Sequence, residues 1–186
     1  CTCAVYGDKG DVDISEDMLP APLSPYAYAK LEGEYLMKTY AHLYGVKAVI
    51  FRYFNVYGVG QDPSSPYSAV IPIFISKIQN GEKIRIFGDG KQTRDFVRVE
   101  DVVEANKRAM NSDIQCEVIN VGCGKSITLL ELIEILEKVA GKKVELEFLP
   151  HREGDIVYSK GSIAKLKQLL NFEPSQDLEA GLKAIV

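Results

Sequence analysis

Apolar runs of strand length alternate with segments whose apolar residues recur at helical spacing, and this alternation limits the chain to few architectures. CTCAVYG at the start reads as a buried strand, and polar DKGDVDISED and the turn-rich LPAPLSP follow it. Ser24 is placed to cap a helix over YAYAKLEGEYLMKTYAHLYG, with Pro25 in its first turn where a missing N–H costs nothing. Lys47 to Phe54 reads as a second buried strand, and PYSAVIPIFISKIQNG as a helix with Pro72 at its start or at a kink. KIRIF and DFVRV are short strands, VEDVVEANKRAM a helix and CEVINV a strand. Thr128 and Glu131 form a capping box ahead of LLELIEILEKVA. VELEFL is a further strand, and SIAKLKQLL and DLEAGLKAIV are helices divided by the loop NFEPSQ.

Strands separated by helices predict an α/β fold with a mostly parallel sheet, and such sheets bind ligands beyond the carboxyl ends of their strands. The loops after CTCAV and after AVIFRYF are therefore the first places to look for chemistry. The 186 residues, 46% hydrophobic and 26% charged, suffice for a real core and exclude a disordered or fibrous chain. No stretch nears the roughly 18 apolar residues of a membrane span and none reads as a signal peptide, so a cytoplasmic protein with no membrane partner is expected. The net charge of -4 makes nucleic acid a poor partner. Cys1, Cys3, Cys116 and Cys123 form no CxxC pair and only His42 and His151 could join them, so no metal site is expected.

Tyr26 and Lys30 stand four residues apart, on one face of the helix that Ser24 caps. A tyrosine hydroxyl ordinarily titrates near 10, so it serves as a base at neutral pH only where a nearby cation favours the phenolate. Lys30 supplies that cation. Thr2, on the preceding strand, can share a substrate oxygen with the phenol, which makes Thr2, Tyr26 and Lys30 a candidate proton-handling triad. Each also has an ordinary role: Thr2 as a strand former, Lys30 as a solvated helix lysine.

The order T-x-x-V-Y-G, S-P-Y-x-x-x-K, R-Y-F-N-V-Y-G resembles the extended short-chain dehydrogenases/reductases. QDP, VIP, IFGDGKQTRDFVRVEDV, NVGCGKSITLLEL and REGDIVYS continue the likeness through essentially the whole chain, toward UDP-glucose and UDP-N-acetylglucosamine 4-epimerases. The resemblance implies a partial Rossmann-type parallel sheet with a smaller mixed α/β substrate-binding region over residues 1–186. It implies NAD as cofactor, a UDP-sugar as substrate and a homodimer at full length. By the same resemblance Thr2, Tyr26 and Lys30 are catalytic, Tyr53 lies near the nicotinamide, Asn55 binds the phosphate region, Val70 and Phe87 border the uracil, and Arg94 and Arg152 hold the diphosphate. Asp155 then sits near the ribose, and Ser159 faces the substituent at sugar carbon 2, where a small side chain leaves room for an N-acetyl group. Without the family, Tyr53, Val70 and Phe87 read as core, Asn55 as a turn residue, Ser159 as a turn hydrogen-bonder, and Arg94–Asp95 and Arg152–Glu153 as local ion pairs.

Family 4,6-dehydratases carry Asp-Glu after the threonine, where Cys3 and Ala4 stand here, so 4-epimerisation is the preferred reaction. The alternatives are a non-catalytic nucleotide-sugar-binding fragment or another dehydratase or reductase of the family. No G-x-G-x-x-G follows a strand, and the GKS at Gly124–Ser126 lacks the first glycine of a phosphate loop, Ile119 standing there. The family's glycine-rich cofactor half is therefore expected ahead of Cys1, and this chain alone is expected to be catalytically incomplete.

Overall fold

The computed structural model describes residues 1–64, 69–152 and 154–186. Ser24 Oγ accepts the Ala27 N–H at 3.2 Å and starts helix α1, Pro25–Tyr44, which stops at Gly45 in the left-handed conformation (φ +66°). Its buried residues are Ala27, Leu31 and Glu34, spaced i, i+4, i+7, so one narrow seam meets the body and the flanks face outward. Strand β1, Ala48–Tyr53, and a short strand β2, Asn55–Tyr57, follow, separated by the buried Phe54.

Helix α2, Val70–Asn80, precedes strands β3, Ile84–Phe87, and β4, Thr93–Arg98. The helix expected from Pro66 begins at Val70 with Pro72 in its first turn; residues 65–68 lie outside those described. Helix α3, Val99–Met110, leads to strand β5, Cys116–Val121, and strand β6, Ser126–Thr128, to helix α4, Leu129–Ala140. Thr128 Oγ1 accepts the Glu131 N–H at 3.1 Å while Glu131 Oε2 accepts the Thr128 N–H at 2.7 Å, the expected capping box. Strand β7, Leu146–Leu149, and helices α5, Ala164–Leu170, and α6, Leu178–Lys183, complete the order.

β1 pairs in parallel with β5, Ala48 opposite Cys116 and Tyr53 opposite Val121. Phe51, Val97, Ala105, Ile119 and Leu166 are buried around this pair, between it and α3 and α5. The other strands build a second region: β2 runs parallel to β4, β4 antiparallel to β6, and β3 parallel to β7. Its core gathers Phe74 and Ile78 of α2, Ile84 and Ile86 of β3, and Leu132 and Leu136 of α4. The fold is α/β with parallel strand pairs, as expected. No helix among the described residues is long and apolar enough to cross a membrane.

The first strand differs from expectation. Only Thr2 pairs, through a parallel bridge to Tyr53, and Cys3–Tyr6 close into a 3₁₀ turn. A short apolar run cannot be assigned from periodicity alone. Here Val5 and Tyr6 are buried under α1 with Ile14, Leu31 and Phe54, and the turn rather than a strand puts them there.

Candidate active site

A cleft of about 1020 Å³ opens where the carboxyl ends of β3 and β7 meet α2 and the segment after β7. Asn55, Val70, Phe87, Arg94, Arg152 and Asp155 all line it. Six of the expected substrate residues thus meet at one place. The Arg152 guanidinium carbon lies 3.5 Å from the centre of the Phe87 ring, a stacked cation–π contact. Arg94 pairs with Asp155 at 2.8 Å, and its Nη1 donates to the carbonyls of Thr93 and Ile156, each at 2.8 Å. The expected Arg94–Asp95 pair is absent among the described residues because the Asp95 carboxylate turns inward and accepts backbone N–H groups. Glu153, the ordinary partner weighed for Arg152, lies outside the described residues. Asn55 Nδ2 donates to the Asp95 carbonyl at 3.2 Å, which fixes the amide at the start of β2.

Tyr26 and Lys30 occupy the first turns of α1, on the flank beside its buried seam, with the Lys30 ammonium 5.6 Å from the Tyr26 ring centre. Tyr26 is 57% exposed, so its hydroxyl is open to a ligand. Thr2 stands beside β1 through its bridge to Tyr53, and its Oγ1 accepts the Ala4 N–H at 3.3 Å as cap of the 3₁₀ turn. A second cleft of about 390 Å³ brings Lys30 and Tyr53 together with Cys1, Met37 and Asn106. There Asn106 Nδ2 donates to the Tyr53 hydroxyl at 3.0 Å.

Ser159 lines neither cleft; it is buried, and its N–H donates to Thr93 Oγ1 at 3.3 Å. Burial, then the negative charge of Asp95, push the Cys3 thiol up to about 11. Cys3 is therefore neutral near pH 7 and supplies no base beside Thr2.

Sequence reasoning missed a buried network behind α1. Arg52 grips Glu34 through Nη2 and Nε at 2.6 and 3.0 Å, Lys38 adds a third contact at 2.8 Å, and Arg52 stacks 4.6 Å above the Tyr6 ring. The Tyr6 hydroxyl donates to Asn120 Oδ1 at 2.7 Å, and Asn120 Nδ2 donates to the Ile14 carbonyl at 2.8 Å. Burial alone would raise the Glu34 carboxyl, yet hydrogen bonds from Arg52 and Lys38 hold it below its usual range. Burial pushes Tyr6 up to about 12. A legible signal existed: Glu34 falls on the apolar seam of α1, and Arg52 interrupts the apolar run AVIFRYF.

The NAD dependent epimerase/dehydratase family model matches residues 1–122. The UDP-glucuronate 4-epimerase of Thermodesulfobacterium geofontis is 38% identical over 186 residues, covering 100% of this chain and 56% of the relative. The solved UDP-N-acetylglucosamine 4-epimerase from Methanobrevibacter ruminantium, in complex with UDP-N-acetylmuramic acid, superimposes with a TM-score of 0.94 at 41% identity, covering 98% of this chain and 59% of that one. The UDP-glucose 4-epimerase of Thermotoga maritima, solved with UDP-glucose, gives 0.92 at 40% identity, with coverages of 97% and 58%. The chain thus spans well under two thirds of the length of these relatives. A match across the segment that carries Thr2, Tyr26, Lys30, Tyr53, Asn55 and Arg94 places this chain in the NAD dependent epimerase/dehydratase family.

Proposed function

We propose that the protein inverts carbon 4 of a UDP-hexose, with NAD as a retained cofactor and a 4-keto sugar as intermediate. The observation that carries this reading is the convergence of Asn55, Val70, Phe87, Arg94, Arg152 and Asp155, spread between positions 55 and 155, on one cleft. An aromatic face at Phe87 suits a base, and guanidinium groups suit a diphosphate. Arg152, stacked on Phe87, makes no side-chain hydrogen bond among the described residues, so its donors can turn to phosphate while the ring receives the uracil. Arg94 is already held by Asp155 and two carbonyls, so it presents a fixed positive charge at the rim.

The residues present fit the nicotinamide end of NAD: an exposed phenol, an ammonium one turn away, and Tyr53 sharing a cleft with that ammonium. Bound NAD supplies reversible acceptance of hydride from sugar carbon 4. Tyr26 takes the proton of the 4-hydroxyl and returns it after the sugar turns over. Lys30 stabilises the negative charge that the Tyr26 oxygen carries before it takes that proton. Thr2 holds the sugar oxygen by its hydroxyl. The neutral Cys3 thiol and Ala4 offer no acid–base pair for elimination, which favours epimerisation over dehydration. UDP-N-acetylhexosamines are included beside the simple hexoses on the family likeness at Ser159, whose side chain is buried and lines neither cleft. The exposed Tyr35, Leu36, Tyr40 and Leu43 of α1 support a homodimer of the longer protein.

The test is turnover by the full-length protein with NAD on UDP-glucose and on UDP-N-acetylglucosamine, with the 4-epimers separated by chromatography. Both galacto products are expected, and Tyr26→Phe abolishes them. No epimer from either sugar refutes the reading.

A further inference from the structure

Gln92 lines the large cleft together with Phe87 and Arg152. After β3 the chain turns back through Gly88 (φ +84°) and Gly90 (φ +76°), two left-handed positions that glycine adopts without steric cost. A Cβ at Gly90 would stand 2.8 Å from Leu130, so the turn also packs closely on α4. It delivers Gln92 beside the end of β3. The Gln92 carbonyl accepts the Leu129 N–H at 3.2 Å, and the next residue, Thr93, donates its N–H to the Val157 carbonyl at 2.8 Å. Gln92 is thus pinned on both sides, and it is only 6% exposed.

Its side-chain amide is half used. Nε2 donates to the Phe87 carbonyl at 2.8 Å, and Oε1 makes no hydrogen bond among the described residues. Among those residues Arg98 Nε is the one partnerless side-chain polar atom sealed from solvent, so Gln92 Oε1 is reached by solvent, and the cleft it lines is the route. The amide cannot turn over, because that would set Oε1 against the Phe87 carbonyl, acceptor against acceptor. The cleft therefore holds a fixed hydrogen-bond acceptor, on a nearly buried side chain tied to the main chain of Phe87. Such an acceptor selects a ligand that donates, since a ligand acceptor in the same place leaves both groups unpaired.

We propose that Gln92 reads the base, its Oε1 accepting the N3–H of uracil. This rests on the reading of the cleft as a UDP-sugar site with the base on the Phe87 ring. Uracil carries a hydrogen on N3 and cytosine carries a lone pair there, so a fixed acceptor beside Phe87 admits the first and repels the second. Stacking and arginine charge make no such distinction, because both pyrimidines are flat and both diphosphates carry the same charge. The choice of base is thereby assigned to Gln92, and general affinity for the nucleotide to Phe87 and Arg152.

Calorimetric titration of the full-length protein with UDP and with CDP tests this. The parent is expected to bind UDP about tenfold more tightly than CDP or better. Gln92→Met keeps the length of the side chain and removes the acceptor; it is expected to weaken UDP about tenfold, leave CDP about unchanged and so abolish the preference. The substitution also releases the Phe87 carbonyl, but any loosening of the ring affects both nucleotides alike. A variant that keeps the preference, by weakening both nucleotides equally or neither, overturns the proposal, and so does a parent that binds both equally. If Gln92→Met does not fold, the parent alone decides: UDP methylated at N3 is expected to bind about tenfold more weakly than UDP or worse, and equal affinities overturn the assignment. A parent that binds neither UDP nor CDP refutes the UDP-sugar reading of the cleft itself, and the role of Gln92 falls with it.

Discussion

Glu34→Ala cuts the link between α1 and β1. In the parent both partners are out of water, with side-chain exposures of 0% for Glu34 and 3% for Arg52, and the bond is two-pronged. Removing the carboxylate leaves the Arg52 guanidinium buried, with the Glu16 carbonyl at 3.5 Å and the face of Tyr6 as its remaining neighbours. Breaking a buried pair from one side costs about 3 to 5 kcal/mol, a large part of a total stability of about 5 to 15 kcal/mol. With a urea slope of about 2 kcal/mol per molar, the midpoint falls by about 1.5 to 2.5 M. The assay is urea unfolding followed by far-ultraviolet circular dichroism. The folded Glu34 carboxyl lies below its ordinary value of 4.5, so its contribution is complete above that value and is lost as pH falls through the folded one. Glu34→Gln removes that part of the acid sensitivity. A midpoint shift below about 0.5 M for Glu34→Ala refutes the claim that this pair docks the helix bearing Tyr26 and Lys30.

Tyr26→Phe in the full-length enzyme lowers kcat by about 10² to 10⁴ with little change in UDP-sugar affinity, because the phenol acts on a proton in the transition state; near-normal turnover rules it out as the base. Gly122→Ala places a methyl group on the Asp95 carboxylate and destabilises the chain by about 1 to 3 kcal/mol, read as a lowered urea midpoint, whereas an unchanged midpoint means that the approach relaxes without cost. Ser159→Tyr, compared on both substrate pairs in the full-length enzyme, suppresses the N-acetylated reaction and spares the simple hexoses; equal effects on both place this side chain away from the sugar.

The elements legible in the sequence were those with strong local punctuation. CEVINV is β5, VEDVVEANKRAM is α3 and LLELIEILEKVA is α4, residue for residue, and in α4 the capping box agrees with the periodicity. β2 and β6 are three residues long, too short for any period to register, and the RYFNVY run divides at Phe54 between two sheets. CTCAVYG carried the right burial and the wrong conformation, since Val5 and Tyr6 reach the core from a turn. The cleft residues could be named only through their order along the chain, as Val70 and Phe87 look like core and Arg94 like a surface charge. The role of Asp95 escaped because its partners are backbone N–H groups far away in sequence, which no local pattern encodes.

Titration of UDP into this chain tests whether the cleft lined by Phe87 and Arg152 binds a uridine diphosphate. Saturable one-site binding is expected, with Arg152→Ala weakening it by about 1.5 to 3 kcal/mol, roughly 10- to 150-fold, for the loss of a charge-assisted contact. No saturable heat, or an affinity indifferent to Arg152→Ala, means that this cleft is not the uridine diphosphate site.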